Sequence, residues 1–185
     1  MFIDFKSAYD SIYREKFFGA MMEFGIPPKL IKLVKTTMTN VQCSVQIQSH
    51  LSEPISTTCG VRQGNTLTCL LFNIALEKVI RDSGIQTRGT TFFKTVQILA
   101  YADDIDLMAR TILGLNEAFL CLEKSARNMG LVINQEKMVF MYCGKDTTLH
   151  QDFAVRNYVF KRVDSFKYLG RVVNKMNNKS VEVNA

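Results

Sequence analysis

Two adjacent carboxylates, Asp103 and Asp104, lie between apolar segments of β type at 98–100 and 105–108. Burial and mutual repulsion both disfavour the ionised forms of paired carboxylates, so a bound cation is the natural compensation. Aspartate oxygens are hard ligands that suit Mg²⁺ or Mn²⁺. The pair therefore predicts a divalent-cation site at the turn of a hairpin over 96–109. The alternative is that the two aspartates only supply turn chemistry.

A third carboxylate, Asp4, lies inside the apolar segment 2–5, where a lone charge needs a partner or a metal. If this strand lies beside the 96–109 hairpin in one sheet, Asp4 meets the Asp103–Asp104 turn. Three such carboxylates can hold two divalent ions roughly 4 Å apart, an arrangement used for in-line phosphoryl or nucleotidyl transfer.

Glycines flank Arg62 and Gln63 in the segment 60–64, directly before a predicted helix. Glycine lets a backbone approach a ligand closely, and a helix N-terminus favours anions. The Arg62 guanidinium offers a planar donor fork for a phosphate or a base edge. This pattern indicates a ligand-binding turn or, as the simpler alternative, a helix entry.

The elements that must position these residues follow from hydrophobic periodicity. Helical spacing predicts helices over 16–24, 29–38, 67–80 and 112–129, and the third is apolar on nearly every side, which predicts a buried helix. Alternation at 41–47 predicts a half-buried strand paired with 55–59. Further strands are predicted over 2–5, 137–142, 158–162 and 166–169. This order predicts an α+β fold in which helices pack on one face of an antiparallel sheet.

Composition narrows the class of protein. The chain has 185 residues, 47% hydrophobic and 22% charged, which indicates one globular domain and excludes disorder. It contains no apolar run of about 18 residues, so we expect no membrane span. Residues 1–6 do not read as a signal peptide. Five cysteines without a Cys-x-x-Cys motif predict no zinc site, buried thiols and a reducing, intracellular compartment, nuclear or cytoplasmic.

The net charge of +6 is uneven, because residues 140–185 carry eight Lys/Arg against four Asp/Glu. A basic tail of this kind suits a polyanionic partner such as nucleic acid.

Five segments together carry a family resemblance. Residues 2–10 resemble the first catalytic palm motif of reverse transcriptases, 62–73 the second and Tyr101-Ala102-Asp103-Asp104 the third. Residues 130–137 are similar to the fourth motif and 166–170 to the fifth. The motifs stand in the family's order, and their wording is most similar to the non-LTR retrotransposon (LINE-like) branch.

The resemblance implies a polymerase palm with a ferredoxin-like or RRM-like core over 1–170, and a polar C-terminal tail or the start of a thumb over 171–185. It implies an RNA-directed DNA polymerase that transfers dNTPs onto a primer 3′-hydroxyl using two Mg²⁺ ions, with Mn²⁺ as a possible substitute. The expected partners are an RNA template, a DNA primer and dNTPs, with no membrane. Fingers and thumb are expected from a longer polyprotein, and the isolated fragment is expected to be inactive.

The resemblance also implies residue roles. Asp4, Asp103 and Asp104 would bind the metals, and Lys137 would donate a proton to the leaving pyrophosphate. Tyr9 would lie under the incoming sugar and reject a 2′-hydroxyl. The template–nucleotide pocket would be formed by Arg62, Gln63 and Gly64. The primer grip would be formed by Phe166, Tyr168, Leu169 and Gly170.

Two other functions stay open. The chain could be a degenerate or domesticated remnant that binds nucleic acid without catalysis. A metal-dependent nuclease or phosphatase could use the same carboxylates, but this alternative leaves Tyr9 and the 62–64 motif unexplained.

Overall fold

A computed structural model describes residues 1–61, 66–85, 96–143 and 152–175. Within these ranges the chain forms five helices and fourteen short strands. In chain order they are β1 (Phe2–Ile3), β2 (Phe5–Lys6), α1 (Ala8–Ser11), α2 (Arg14–Glu23), α3 (Pro28–Met38), β3 (Gln42–Cys43), β4 (Gln46–Ile47), β5 (His50–Leu51), β6 (Ile55–Ser56), α4 (Thr66–Asp82), β7 (Val96–Tyr101), β8 (Asp104–Ala109), α5 (Ile112–Met129), β9 (Val132–Ile133), β10 (Val139–Phe140), β11 (Phe153–Val155), β12 (Tyr158–Arg162), β13 (Ser165–Tyr168) and β14 (Arg171–Asn174). The fold is a mixture of α-helices and β-strands, as predicted.

The chain divides into two compact units. The first comprises Met1–Phe5, Ile85–Cys121 and Ile133–Ala185, and the second comprises Lys6–Gly84 and Leu122–Val132. Helix α5 therefore begins in the first unit and ends in the second.

A six-stranded sheet forms the first unit, with the strand order β11–β12–β10–β1–β8–β7. Strand β1 is antiparallel to both of its neighbours, and β7 and β8 form a hairpin. Strands β10 and β12 run parallel, so the prediction of a wholly antiparallel sheet is wrong at this pair. The reason is that β11 forms a hairpin with β12 at the sheet edge, which makes the path from β10 to β12 a crossover.

The two faces of this sheet differ because side chains alternate along each strand. Ile3 of β1 and Ile105 of β8 are fully buried on one face. Helix α5 covers that face through Phe119, whose ring centroid lies 4.9 Å from that of Phe160 of β12. The alternate positions, including Asp104, belong to the opposite face.

Beyond the sheet, β13 and β14 form a separate hairpin in the first unit, with Tyr168 paired to Arg171. The hairpin extends past residue 170, which is the predicted end of the palm.

The second unit is built from α1 to α4 and the end of α5. Helix α2 ends at Glu23, and Gly25 takes a φ of +73° before α3 begins at Pro28, which supplies a proline in the first turn. The buried apolar side chains of these helices include Phe17, Ala20, Met21, Phe72, Ala75, Leu76, Val79, Leu122 and Ala126.

The segment 41–56 corrects one prediction. It forms two short antiparallel pairs, β3 with β6 and β4 with β5. Val45 and Ile47 are 57% and 70% exposed, so the half-buried strand is wrong. In the described part of the chain these strands pair only with one another, and their side chains remain in solvent.

Two further burial predictions are wrong. All five cysteines are free and exposed rather than buried. Helix α4 is amphipathic, because Leu67 and Leu70 are exposed while Leu71 and Phe72 are buried.

No helix in the described ranges has both the length and the hydropathy needed to cross a membrane.

Candidate active site

Strand register brings Asp4 to Asp104. Ile3 of β1 pairs with Ile105 of β8 in an antiparallel ladder. Asp4 directly follows β1 and Asp104 is the first residue of β8, so the same register continued by one residue places them opposite each other, on the face of the sheet that α5 does not cover. The convergence expected of these two carboxylates therefore has a simple cause, which is the pairing of β1 with β8.

Asp103 lies in the two-residue loop between β7 and β8. Tyr101 and Asp104 form the last pair of that ladder, which leaves Ala102 and Asp103 as the loop. Ala102 has a φ of +53°, a left-handed value that tight hairpin loops need and that a residue with a Cβ adopts at a cost. The two adjacent carboxylates are therefore presented at the end of the hairpin.

The side chains of β7 that lie next to the turn are exposed. Leu99 and Tyr101 are exposed, whereas Ile105 and Leu107 of β8 are fully buried. Among the described strands, β7 lies at the edge of the sheet. Of the two apolar segments that flank the aspartate pair, only the one in β8 is therefore buried beside the turn.

Asp4 is buried and has two partners in its own unit. Asn134 Nδ2 donates a hydrogen bond to Asp4 Oδ2 at 3.0 Å, and the Asn134 backbone N–H donates to the Asp4 carbonyl oxygen at 2.8 Å. Lys137 Nζ lies 3.3 Å from the same Oδ2. Sequence reasoning selected Lys137 and missed Asn134. The available signal was its place in the segment 130–137 that resembles the fourth motif, directly after the short strand β9.

The pKa of Asp104 reflects its burial and the charges around it. Burial raises the pKa of the Asp104 carboxyl above its ordinary value, and the negative charges of Asp103 and Asp4 raise it further. The positive charge of Lys137 acts in the opposite direction. A bound cation would relieve the repulsion among the three carboxylates in the same way.

The donor chemistry of this site fits a hard divalent cation, because the acidic groups are all carboxylates. Within the residues that the structure describes, however, no three acidic, thiol or imidazole side chains are grouped closely enough to hold a metal. Asp4 Oδ2 is engaged by Asn134 and Lys137 instead.

The β13–β14 hairpin packs on the aromatic residue that precedes the site. The ring centroid of Phe2 lies 6.0 Å from that of Phe166 and 6.3 Å from that of Tyr168. Burial raises the pKa of the Tyr168 hydroxyl, and the charges of Asp106 and Asp104 raise it further. Tyr168 therefore lies close to the acidic face of the sheet.

Leu169 and Gly170 form the loop of the same hairpin, with φ values of +49° and +80°. Two consecutive left-handed residues are typical of a tight hairpin turn in which Asn-Gly is preferred. Leu169 thus keeps an exposed apolar side chain in a backbone conformation that disfavours it.

Asp106 is a further acid on β8. Its Oδ1 accepts a hydrogen bond from the amino group of Met1 at 3.1 Å.

The remaining predicted site residues belong to the second unit. The ring of Tyr9 packs 4.5 Å from that of Phe72, centroid to centroid. The Tyr9 backbone carbonyl oxygen accepts a hydrogen bond from the Val61 N–H at 2.8 Å, and the Gly60 N–H donates to Ile12 O at 2.8 Å. Gly60 and Val61, which precede the second motif, are therefore hydrogen-bonded to the Tyr9–Ile12 segment.

The predicted template–nucleotide residues Arg62, Gln63 and Gly64 lie outside the described residues.

The sequence matches known proteins over nearly its whole length. The family model described as "Reverse transcriptase (RNA-dependent DNA polymerase)" matches residues 1–173. A retrovirus-related Pol polyprotein from the type-1 retrotransposable element R2 of Nasonia vitripennis is 26% identical over 98% of this chain and 19% of its own length. The corresponding protein of Bradysia coprophila is 30% identical over 73% of this chain and 15% of its own length. The transposon TX1 149 kDa protein of Xenopus laevis is 28% identical over 73% of this chain.

The chain thus spans a fifth or less of the length of these first two relatives. The family model covers far more than half of the chain, and the family predicted from the five motifs is confirmed. The chain belongs to the reverse transcriptase (RNA-dependent DNA polymerase) family.

Proposed function

We propose that this chain is the palm of an RNA-directed DNA polymerase from a non-LTR retrotransposon, which adds dNTPs to the 3′-hydroxyl of a DNA primer on an RNA template. The single observation that carries the proposal is the strand register that brings Asp4 opposite Asp104, beside the Asp103 turn. The raised pKa of Asp104 supports a site designed for a cation rather than a surface turn. Family membership supports the reaction type.

Asp4, Asp103 and Asp104 would hold the Mg²⁺ ions, or Mn²⁺ in their place. When bound, these ions activate the primer hydroxyl and neutralise the triphosphate. The carboxylates would hold the cations on one face of the sheet, and the 3.0 Å hydrogen bond from Asn134 would help to orient the Asp4 carboxylate.

Lys137 would be the proton donor to the leaving pyrophosphate. Its ammonium group is exposed and reaches Asp4 Oδ2 at 3.3 Å, so the side chain can exchange this partner for a phosphate oxygen. Without a metal, Lys137 would neutralise Asp4. With the metal bound, the same flexible side chain would reach the pyrophosphate and donate the proton to it.

The other motif residues complete the proposal. Tyr9 would lie under the sugar and exclude a 2′-hydroxyl, and its packing on Phe72 gives the ring a fixed support. Arg62, Gln63 and Gly64 would line the template–nucleotide pocket. The primer end would be held by the residues of the β13–β14 hairpin: Phe166, Tyr168, Leu169 and Gly170.

The architecture we propose is a ferredoxin-like palm over 1–170, with 171–185 as a tail or the start of a thumb. Fingers and thumb would come from flanking segments of a longer polyprotein, and the isolated chain would be inactive. The relatives are polyproteins several times longer than this chain, which supports that context.

The test is primer extension on an RNA template with Mg²⁺, using this chain alone and joined to its flanking coding sequence. We expect extension by the longer protein and none by its Asp103→Asn variant. Extension that persists in Asp103→Asn would contradict the metal role. If neither protein extends a primer but both bind nucleic acid, the chain is a non-catalytic remnant.

A further inference from the structure

Arg14, at the start of α2, uses every one of its donors inside the second unit. Nε donates to Gly60 O at 2.9 Å, and Nη1 donates to Met38 O at 2.8 Å and Thr57 O at 2.7 Å. Nη2 donates to Cys59 O at 2.8 Å and to Thr57 Oγ1 at 3.3 Å. A guanidinium has five N–H donors in a rigid planar fork, and here all five have partners.

The acceptors belong to two segments that are otherwise far apart in sequence. Met38 is the last residue of α3, whereas Thr57, Cys59 and Gly60 form the stretch that leads into the 60–64 motif. Backbone carbonyls in an irregular stretch need donors, and one arginine supplies them for three of the four residues 57–60.

The same stretch is fixed from its other side by the Tyr9 segment. The N–H groups of Gly60 and Val61 donate to Ile12 O and Tyr9 O, both at 2.8 Å. Gly60 also approaches Asp10 so closely that a Cβ at residue 60 would lie 2.7 Å from Asp10 Cα and from Asp10 O. Residues 57–61 are thus held between Arg14 and the Tyr9–Ile12 backbone.

Arg14 borders a cavity of about 550 Å³ in this unit, together with Asp10, Thr37, Thr57, Thr58 and Gly60. At the wall of this cavity the guanidinium bridges the two segments. A side chain at its wall must reach carbonyls on two segments at once, and a lysine ammonium has three donors at a single point rather than five across a plane.

We propose that Arg14 is a positioning residue: it holds residues 57–61 against the Tyr9–Ile12 segment and thereby fixes the backbone position of Tyr9. The functional half of this inference rests on the proposed function, in which Tyr9 lies under the sugar. The structural half stands on the five hydrogen bonds alone.

Hydrogen exchange on the full 185-residue chain tests the structural half. The variants are Arg14→Lys and Arg14→Gln, and the matched control is Arg81→Lys. Arg81 is an exposed arginine of the same unit, paired with Glu77 on α4. We expect amide exchange at Gly60 and Val61 to accelerate roughly tenfold or more in both Arg14 variants, because more than one hydrogen bond to this stretch is lost. Protection in α4 should be unchanged, and the control should match the parent chain.

A merely structural arginine would give a different pattern. Equal loss of protection throughout the unit would mean that Arg14 only supports global stability, and it would overturn the inference. Unchanged exchange at Gly60 and Val61 would overturn it as well. Circular dichroism checks that the variants are folded, and Arg14→Lys provides the milder change if Arg14→Gln unfolds.

Kinetics of the longer, active protein test the functional half. In Arg14→Lys we expect KM for dNTPs to rise and discrimination against rNTPs to fall, with kcat changed less than KM. Unchanged KM and discrimination, in a protein that extends primers, would overturn the inference and leave the proposed function intact. If the parent protein extends no primer, the proposed function fails, and the exchange data still decide whether Arg14 holds this stretch.

Discussion

The close approach of Gly60 to Asp10 yields a sharp prediction, because Gly25 provides a matched control. Both glycines have left-handed backbones, with φ of +81° at Gly60 and +73° at Gly25. A Cβ at Gly25 would meet no atom within 4 Å, whereas a Cβ at Gly60 would lie 2.7 to 2.9 Å from three backbone atoms of Asp10. The perturbations Gly25→Ala and Gly60→Ala therefore differ mainly in this contact.

The magnitudes follow from the two contributions. A left-handed alanine costs about 1–2 kcal/mol, and the stiffer unfolded chain returns about 0.4–1 kcal/mol, so Gly25→Ala should lower the free energy of unfolding by about 1 kcal/mol. Gly60→Ala carries the same cost plus about 1–3 kcal/mol for displacing packed backbone, giving about 2–4 kcal/mol in total.

The assay is urea denaturation of both variants and the parent chain, followed by circular dichroism. Gly60→Ala should lose at least about 1 kcal/mol more than Gly25→Ala, and it should also abolish primer extension in the longer protein. Equal losses in the two variants would refute the reasoning, because they would show that residue 60 does not contact the Tyr9–Ile12 backbone.

Three further predictions concern the first unit. Asn134→Ala removes the charge-assisted hydrogen bond to Asp4 and should cost about 1.5–3 kcal/mol in urea denaturation, whereas no loss would show that the bond is not formed. Asp104→Asn should become more stable relative to the parent chain as pH rises from about 3.8. Folding raises the pKa of the Asp104 carboxyl. The contribution of this group to the free energy of unfolding is therefore complete below its pKa in the unfolded chain and is lost as pH rises through its pKa in the folded chain. A stability difference that does not change with pH would contradict this. Leu169→Asn should stabilise the hairpin by about 0.5–1 kcal/mol, because asparagine tolerates the left-handed φ better before Gly170. The same variant should weaken primer extension, and a loss of stability would contradict the turn assignment.

Local sequence patterns predicted the element types well where periodicity was long. The helices predicted over 29–38 and 112–129 correspond to α3 (Pro28–Met38) and α5 (Ile112–Met129), and the 96–109 hairpin corresponds to β7 and β8. The proximity of Asp4 and Asp104 could also be anticipated, because a charge in an apolar strand requires a partner.

Other features depend on tertiary contacts that no local pattern reports. Alternation at 41–47 predicts one buried face, but whether another layer covers that face is decided elsewhere, and Ile47 is exposed. Asn134 lies within the segment 130–137 that resembles the fourth motif, but the pattern assigns it no role, and its hydrogen bond to Asp4 depends on tertiary structure. Arg14 reads as an ordinary helix-start residue, although its five partners come from segments at least 24 residues away.

The central proposal is that Asp4, Asp103 and Asp104 together would bind the divalent cations. Mn²⁺ binding to the 185-residue chain, measured by electron paramagnetic resonance, tests it most directly. The control is Glu53→Gln, which alters an exposed acid in the 41–56 segment. We predict that the parent chain and the control bind Mn²⁺ and that Asp4→Asn and Asp104→Asn each bind it at least about tenfold more weakly, because each removes a charged ligand. Equal Mn²⁺ affinity in the parent chain and in a variant lacking all three carboxylates would contradict the account.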